Sequence, residues 1–302
     1  MLLAAFRLMA RLPLGLAQWL GRGLGWLVYA VSGSYRRKLH DNLARAGLAP
    51  ALRRPAARAA GAMVGELPWV WFRDPGEVLA RTICPDDSAV RTAQAGGRGV
   101  IYLTPHLGCF EVVARWCASR GPITVLFRPS KLAAMSPVLQ AARNHGEMAA
   151  APANLSGVRS LLRALRRGEA VGLLPDQVPG EGDGRWAPFL GAPAYTMTLP
   201  ERLAQATGAA VVLAVGERLP RGGGWRLRFE PLHETPTPEA VNAAMERLIR
   251  DLPEQYLWGY NRYKRPAGAG PSDGGASDGG ATEASRTGSR SVGPAASNAD
   301  SP

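Results

Sequence analysis

The 302-residue sequence predicts an α/β fold, with a mostly parallel central sheet flanked by helices and an N-terminal membrane-associated helix ahead of it. Three observations carry this expectation. Short β-branched runs alternate with longer amphipathic stretches from about residue 50 to 265. Helix-length segments separate most of these runs, so right-handed crossovers would lay the strands parallel. The last two runs are joined only by RLPRGGGW, a turn-rich link too short for a crossover, so that pair can close antiparallel.

Composition narrows the class. There are 36 basic against 24 acidic side chains, a net charge of +12, and 46% hydrophobic residues. A chain this long buries a core without disulfide or metal staples. The three cysteines, Cys84, Cys109 and Cys117, form no C-x-x-C, and the four histidines stand apart. Zinc-ribbon and metalloprotease spacings are therefore absent, and no metal or other cofactor is expected. Nearly all the positive charge is arginine, which suits recognition of phosphate or carboxylate. Nucleic acid, anionic lipid and an acidic carrier are the partners this balance admits.

Residues 1–35 form the first predicted unit. The stretch 2–31 is mostly Leu, Ala, Gly, Val and Trp, interrupted by Arg7, Arg11 and Arg22. A membrane span needs about 20 apolar residues, and Arg22 pulls against spanning. Through residue 60 there are ten basic residues against one acid, Asp41. Trp19, Trp26 and Tyr29 are natural interface anchors, so the segment is expected to bind anionic lipid, by spanning the bilayer or by lying on it. The plainer alternative is an ordinary buried helix. No small-residue cleavage site follows, and the basic run after the apolar segment argues for cytoplasmic retention.

Residues 36–266 form the main domain. Its predicted strands are GVIYLT (99–104), ITVLF (123–127), AVGLLP (170–175), AAVVLAVGE (209–217) and WRLRFEP (225–231). SGVRSLLRALRRG (156–168) has helical periodicity and stops at Gly168. In such a sheet, ligand chemistry is expected in the loops after strand C-terminal ends. Residues 267–302 turn to Gly, Ser, Ala, Asp, Thr and Pro, with SDGGA twice, and are expected to be disordered.

The strongest local constellation is GVIYLTPHLGCFEVVARW. A buried strand ends at Thr104, Pro105 breaks it, and His106 stands at the mouth of a helix starting near Leu107. Glu111 would then lie about one and a half turns in, close enough to orient the imidazole. Such a dyad could deprotonate a hydroxyl for attack on an activated acyl group, whereas the bland reading is a capping histidine and a solvated glutamate.

Arg128 follows a strand, where it could grip a phosphate or neutralise developing negative charge, or make a surface ion pair; Lys131 is a weaker candidate. Asp176 and Gln177 follow AVGLLP on the expected active edge; Asp176 could orient an arginine or the acceptor, or form an Asx turn. Thr196 is a candidate start for the helix MTLPERLAQATG. Tyr260, Arg262, Tyr263, Lys264 and Arg265 interleave aromatics with cations, a pattern open to lipid headgroups or single-stranded nucleic acid. No helix-turn-helix or RNA-recognition signature accompanies it, so no nucleic-acid partner is expected.

HLGCFE resembles the H-x4-D/E motif of glycerolipid acyltransferases. FRPSKLAAM (127–135), LLPDQVPGEGDGRWAPFLGAPAYT (173–196) and PEQYLWGYNRYKRP (253–266) are similar, in order, to further blocks of the bacterial lipid A late acyltransferases, the lauroyl and myristoyl transferases. The resemblance spans roughly residues 1–266. It implies a glycerolipid acyltransferase-like fold and transfer of a fatty acyl chain from acyl carrier protein to a hydroxyl of a lipid A precursor. The implied location is the cytoplasmic face of the bacterial inner membrane, on its anionic lipids. His106 would be the general base and Glu111 its partner; Arg128, Asp176 and Gln177 would bind substrate; Cys109 falls at a variable position of the motif. The alternatives are a related transferase acting on another glycolipid or a lysophospholipid, and a noncatalytic basic membrane-binding or nucleic-acid-binding protein.

Overall fold

The computed structural model describes residues 2–127, 135–143 and 146–266. Arg128, Lys131 and the tail from residue 267, all singled out above, lie outside the described residues.

The chain opens with four helices, α1 (Leu2–Met9), α2 (Leu14–Val31), α3 (Gly33–Arg45) and α4 (Arg53–Phe72), followed by α5 (Pro75–Ala80), β1 (Thr82–Ile83) and α6 (Ser88–Ala95). The alternating region then runs β2 (Val100–Leu103), α7 (Phe110–Ala118), β3 (Ile123–Phe127), α8 (Ser136–Arg143), β4 (Met148–Pro152), α9 (Leu155–Arg166) and β5 (Ala170–Leu173). A hairpin of β6 (Gly184–Phe189) and β7 (Ala192–Met197) leads to α10 (Leu199–Thr207), β8 (Ala210–Arg218), β9 (Trp225–Leu232) and α11 (Pro238–Asp251).

Seven strands form one sheet in the order β1-β9-β8-β2-β5-β3-β4. β8, β2, β5, β3 and β4 are parallel, and β9 runs antiparallel to β8 as its short connection requires. The five predicted strands are all present. Side chains of β2 alternate between two cores, as a period of two demands: Ile101 and Leu103 join Leu161, Leu165 and the α11 residues, while Val100 and Tyr102 join Val112 and Trp116. Both faces are covered, which is why β2 reads as a continuous apolar run.

The N-terminal helices are built onto this body. α2 buries Leu14, Ala17, Gln18, Gly21 and Gly25 against α4. A Cβ at Gly21 or Gly25 would collide with α4 backbone at Gly61 or Ala57, so glycine is what lets the two helix axes approach so closely. The opposite side of α2 exposes Leu16, Trp19, Leu20, Leu24, Trp26 and Leu27. Among the described residues no helix is long and apolar enough to cross a membrane. Arg22 lies half-buried, and its pKa is lowered by burial and by the charge of Arg218.

Candidate active site

β2 and β5 are neighbours in register, with Leu103 opposite Leu173, so the loops leaving them emerge side by side at the sheet's C-terminal edge. The Thr104 N–H donates to the Leu173 carbonyl at 2.9 Å and locks the two exits together. Three residues further along each loop stand His106 and Asp176.

The Asp176 carboxylate is buried, at 2% exposure, and holds His106 twice. Oδ2 accepts from the His106 backbone N–H at 2.9 Å, and Oδ1 lies 2.8 Å from the ring Nδ1. With Nδ1–H donating to the carboxylate, Nε2 keeps its lone pair. The Gln177 side-chain amide lies 3.3 Å from Nε2. Phe110 packs edge-on to the ring, 4.8 Å between centroids, and restrains its tilt.

Burial pushes the His106 pKa down, but the charge and hydrogen bond of Asp176, and then the charge of Glu111, outweigh it and hold the imidazole above its ordinary value. Burial likewise raises the Asp176 carboxyl, and the His106 charge, its hydrogen bonds and the Arg262 charge reverse this, leaving a net lowering.

α7 begins at Phe110 rather than near Leu107, so Glu111 sits in the first helical turn. The residues between are held out of the helix by backbone pairing: Cys109 N–H donates to the Gly216 carbonyl, and Gly108 N–H to that of Gln255. Gly108 has φ +62°, and a Cβ there would strike the Gly216 carbonyl. As a result, the imidazole's Nδ1 partner is Asp176. Glu111 lines the same cavity and acts on the ring through its charge. Asp176 therefore orients the histidine, where sequence alone suggested an arginine, the acceptor or an Asx turn.

His106, Glu111 and Gln177 face a cavity of about 650 Å³. Its other walls include Leu126, Phe127, Leu174, Val178 and Leu199, and Arg202. A narrower apolar recess of about 60 Å³ shares Phe110, Glu111, Leu126 and Leu173 with it and continues between the sheet and α7 to Val125, Met148 and Gly172. Arg128 directly follows Phe127, but its own position is outside the described residues. Among the described residues no group of three or more His, Cys, Asp or Glu could hold a metal ion. The Cys109 thiol is fully buried, and desolvation followed by the Glu66 charge pushes it well above its ordinary pKa, which disfavours the nucleophilic thiolate.

Several supporting residues were not among the site candidates in the sequence, although Tyr256 and Leu257 lie within the block 253–266. Tyr256 is buried beside Asp176, and burial and then that carboxylate's charge raise its phenol. The Leu257 N–H donates to the His106 carbonyl at 3.0 Å. Under the loop, Glu66 and Arg218 form a fully buried ion pair, and Arg218 Nη2 also donates to the Gly108 carbonyl at 3.2 Å. Gln18 and Trp225 donate to the same Glu66 oxygen.

The aromatic and cationic cluster near the C-terminus has a structural role that its composition did not reveal. Arg262 is 2% exposed and donates to the Tyr195 carbonyl and the Thr196 hydroxyl, while the Tyr260 hydroxyl accepts from the Val178 N–H. These bonds pin the hairpin and the Asp176 loop. Thr196 thus belongs to β7, and α10 starts after Thr198.

The family model described as bacterial lipid A biosynthesis acyltransferase matches residues 1–265. The chain is 29% identical over 220 residues to the lipid A biosynthesis lauroyltransferase of Escherichia coli K12, covering 69% of this chain and 70% of that one. It is 29% identical over 219 residues to the palmitoleoyltransferase of the same organism, covering 70% and 71%. A lipid A biosynthesis acyltransferase of Haemophilus influenzae is 25% identical over 179 residues, covering 56% and 55%.

Proposed function

Because the chain belongs to the bacterial lipid A biosynthesis acyltransferase family, we propose that it moves a fatty acyl chain from the thioester of acyl carrier protein to a hydroxyl of a lipid A precursor, with His106 as general base. The observation that carries this reading is the Asp176-held imidazole, its Nε2 left to accept a proton at the wall of a largely apolar cavity. Nε2 takes the acceptor's hydroxyl proton as that oxygen attacks the thioester carbonyl. The tetrahedral intermediate then expels the carrier's sulfur, which recovers the proton from the imidazolium, leaving ester and thiol. Asp176 fixes the tautomer and, with Glu111, stabilises the imidazolium between the two steps. No covalent acyl-enzyme is required.

The apolar recess past Phe110 suits the acyl tail, and Arg128, next to cavity-lining Phe127, would meet a phosphate of the acceptor or the oxyanion. Residues 1–35 serve as a docking element on the catalytic unit 36–266. The outward Leu and Trp face of α2 would sink into the interface, and the basic residues of α3 and α4 would meet anionic headgroups at the cytoplasmic side of the inner membrane.

The test is transfer of labelled acyl groups from acyl carrier protein to a tetraacylated lipid A precursor by wild type and His106→Ala, both confirmed folded by their thermal transitions. Transfer by wild type and its loss in the variant supports the reading. Normal transfer by His106→Ala overturns the mechanism, and failure of wild type with this acceptor but success with another glycolipid or a lysophospholipid overturns the acceptor.

A further inference from the structure

A row of arginines runs away from the catalytic cavity, and no ion pair among the described residues uses it. α9 starts at the cavity, where its N-cap Asn154, with Leu155 and Val158, forms part of the wall. Beyond that end, Arg159, Arg163 and Arg166 follow at spacings of four and three, which place them on one helix face, and all three are exposed. The other face of α9 is buried through Gly157, Leu161, Ala164 and Leu165. Arg202, exposed on the adjacent α10, lines the cavity itself. Leu155, 77% exposed, stands at the head of the row.

Helix electrostatics do not account for the row. Arg163 and Arg166 lie in the last turn of α9, where a cation gains about 0.3–1 kcal/mol from the helix dipole. Arg159 lies earlier in the helix, and Arg202 is in the first turn of α10, the end that disfavours a cation. The arrangement also differs from the proposed lipid-facing side: among the described residues of α9 and α10 Leu155 is the one exposed large apolar side chain, whereas α2 presents a broad Leu and Trp face.

We propose that the Arg159, Arg163, Arg166 and Arg202 row is the docking surface for the acyl donor, a small acidic carrier protein. This assignment rests on the donor reading given above. An acidic helix of the carrier would lie along α9, about 18 Å long. Its flexible thioester arm would enter the cavity past Leu155 and deliver the carbonyl to His106. Such complementary charge speeds encounter and fixes orientation, and its contribution falls with salt.

The test uses the full chain with Arg159→Glu, Arg163→Glu and Arg166→Glu combined, beside a control carrying Arg37→Glu, Arg54→Glu and Arg58→Glu. Binding to acyl carrier protein is titrated at low and moderate salt, and binding to phosphatidylglycerol vesicles is measured by co-sedimentation. The α9 variant is expected to bind the carrier at least tenfold more weakly, with a flattened salt dependence, and to bind vesicles as wild type does. The control is expected to lose vesicle binding and keep the carrier. Transfer from a carrier-free acyl-pantetheine thioester at the wild-type rate would show the α9 variant's site intact. If wild type binds the carrier and the α9 variant binds it equally, the docking assignment falls and the donor reading stands. If the α9 variant loses vesicles instead of carrier, the row is a membrane surface. If wild type binds no carrier at either salt, both readings fall.

Discussion

The Asp176 carboxylate accepts two hydrogen bonds from His106, at 2.8 Å from the ring Nδ1 and 2.9 Å from the backbone N–H. The pairing fixes the ring's tautomer, its rotation and the path of its own loop together. An asparagine at 176 would keep the shape and present an amide to Nδ1. Its N–H₂ group can donate to Nδ1, forcing the ring proton to Nε2, where the acceptor's proton must go. Asp176→Asn is expected to lower kcat by about 10³–10⁴-fold with the fold kept, by analogy with the orienting aspartate of a catalytic triad. Steady-state transfer kinetics beside a thermal melt check this; a kcat within tenfold of wild type would remove Asp176 from the mechanism.

The raised His106 pKa sets the pH dependence. A general base must be neutral, so kcat/KM should climb with pH and level off only above the folded-state value, which lies above the ordinary value of about 6.5. Glu111→Gln removes one of the charges holding the proton, so the rising limb should move to lower pH, whereas a role for Glu111 in packing alone would lower the plateau in a folded variant and leave the limb in place. Stability runs the other way. The folded state favours protonated His106, so that contribution is complete below the unfolded pKa and is lost as pH rises through the folded one. Rate profiles with thermal melts across neutrality test both limbs.

Glu66 and Arg218 join α4 to the end of β8 beneath the His106 loop, with side chains at 0% and 1% exposure. Removing one charge leaves the other buried without its partner, at a cost of about 3–5 kcal/mol. Glu66→Met and Arg218→Met should therefore each destabilise strongly, while replacing both residues by methionine should cost less than either single change. Urea unfolding of the three variants tests this, and a double variant less stable than both singles would contradict it.

The legible parts of the fold are those encoded locally. Runs such as ITVLF are β-branched and bounded by turn residues, and each formed a strand. β4 reads MAAAP and has no such bias; it becomes a strand through its parallel pairing with β3. The β6–β7 hairpin hides behind Pro188 and Pro193 and turns at Leu190 and Gly191, both with positive φ, a conformation that leucine does not advertise. At the site, His106 and Asp176 were both legible as residues after strand ends, but their contact spans 70 positions. It depends on β2 and β5 being neighbours, which no local pattern states. Glu66 and Arg218 were silent for the same reason.

Gly172 offers a way to read the acyl chain from the protein side. It lies in β5 on the wall of the apolar recess, and a Cβ there would come within 3.1 Å of Val125 Cγ1 and 3.7 Å of Ile123 Cδ1, both on residues that line the recess. Its backbone is not among those with positive φ, so alanine needs no unfavourable φ there, and the Val125 side chain must yield by a few tenths of an ångström to admit the methyl group. The added methyl group narrows a space of only about 60 Å³. Gly172→Ala should therefore leave transfer of short chains near the wild-type rate and depress transfer of the longest accepted chain, each methylene denied burial costing about 0.8 kcal/mol, or roughly fourfold in kcat/KM. Competition between carrier-bound donors of graded length measures the shift directly. An unchanged length profile in a folded variant would place the acyl tail outside this recess.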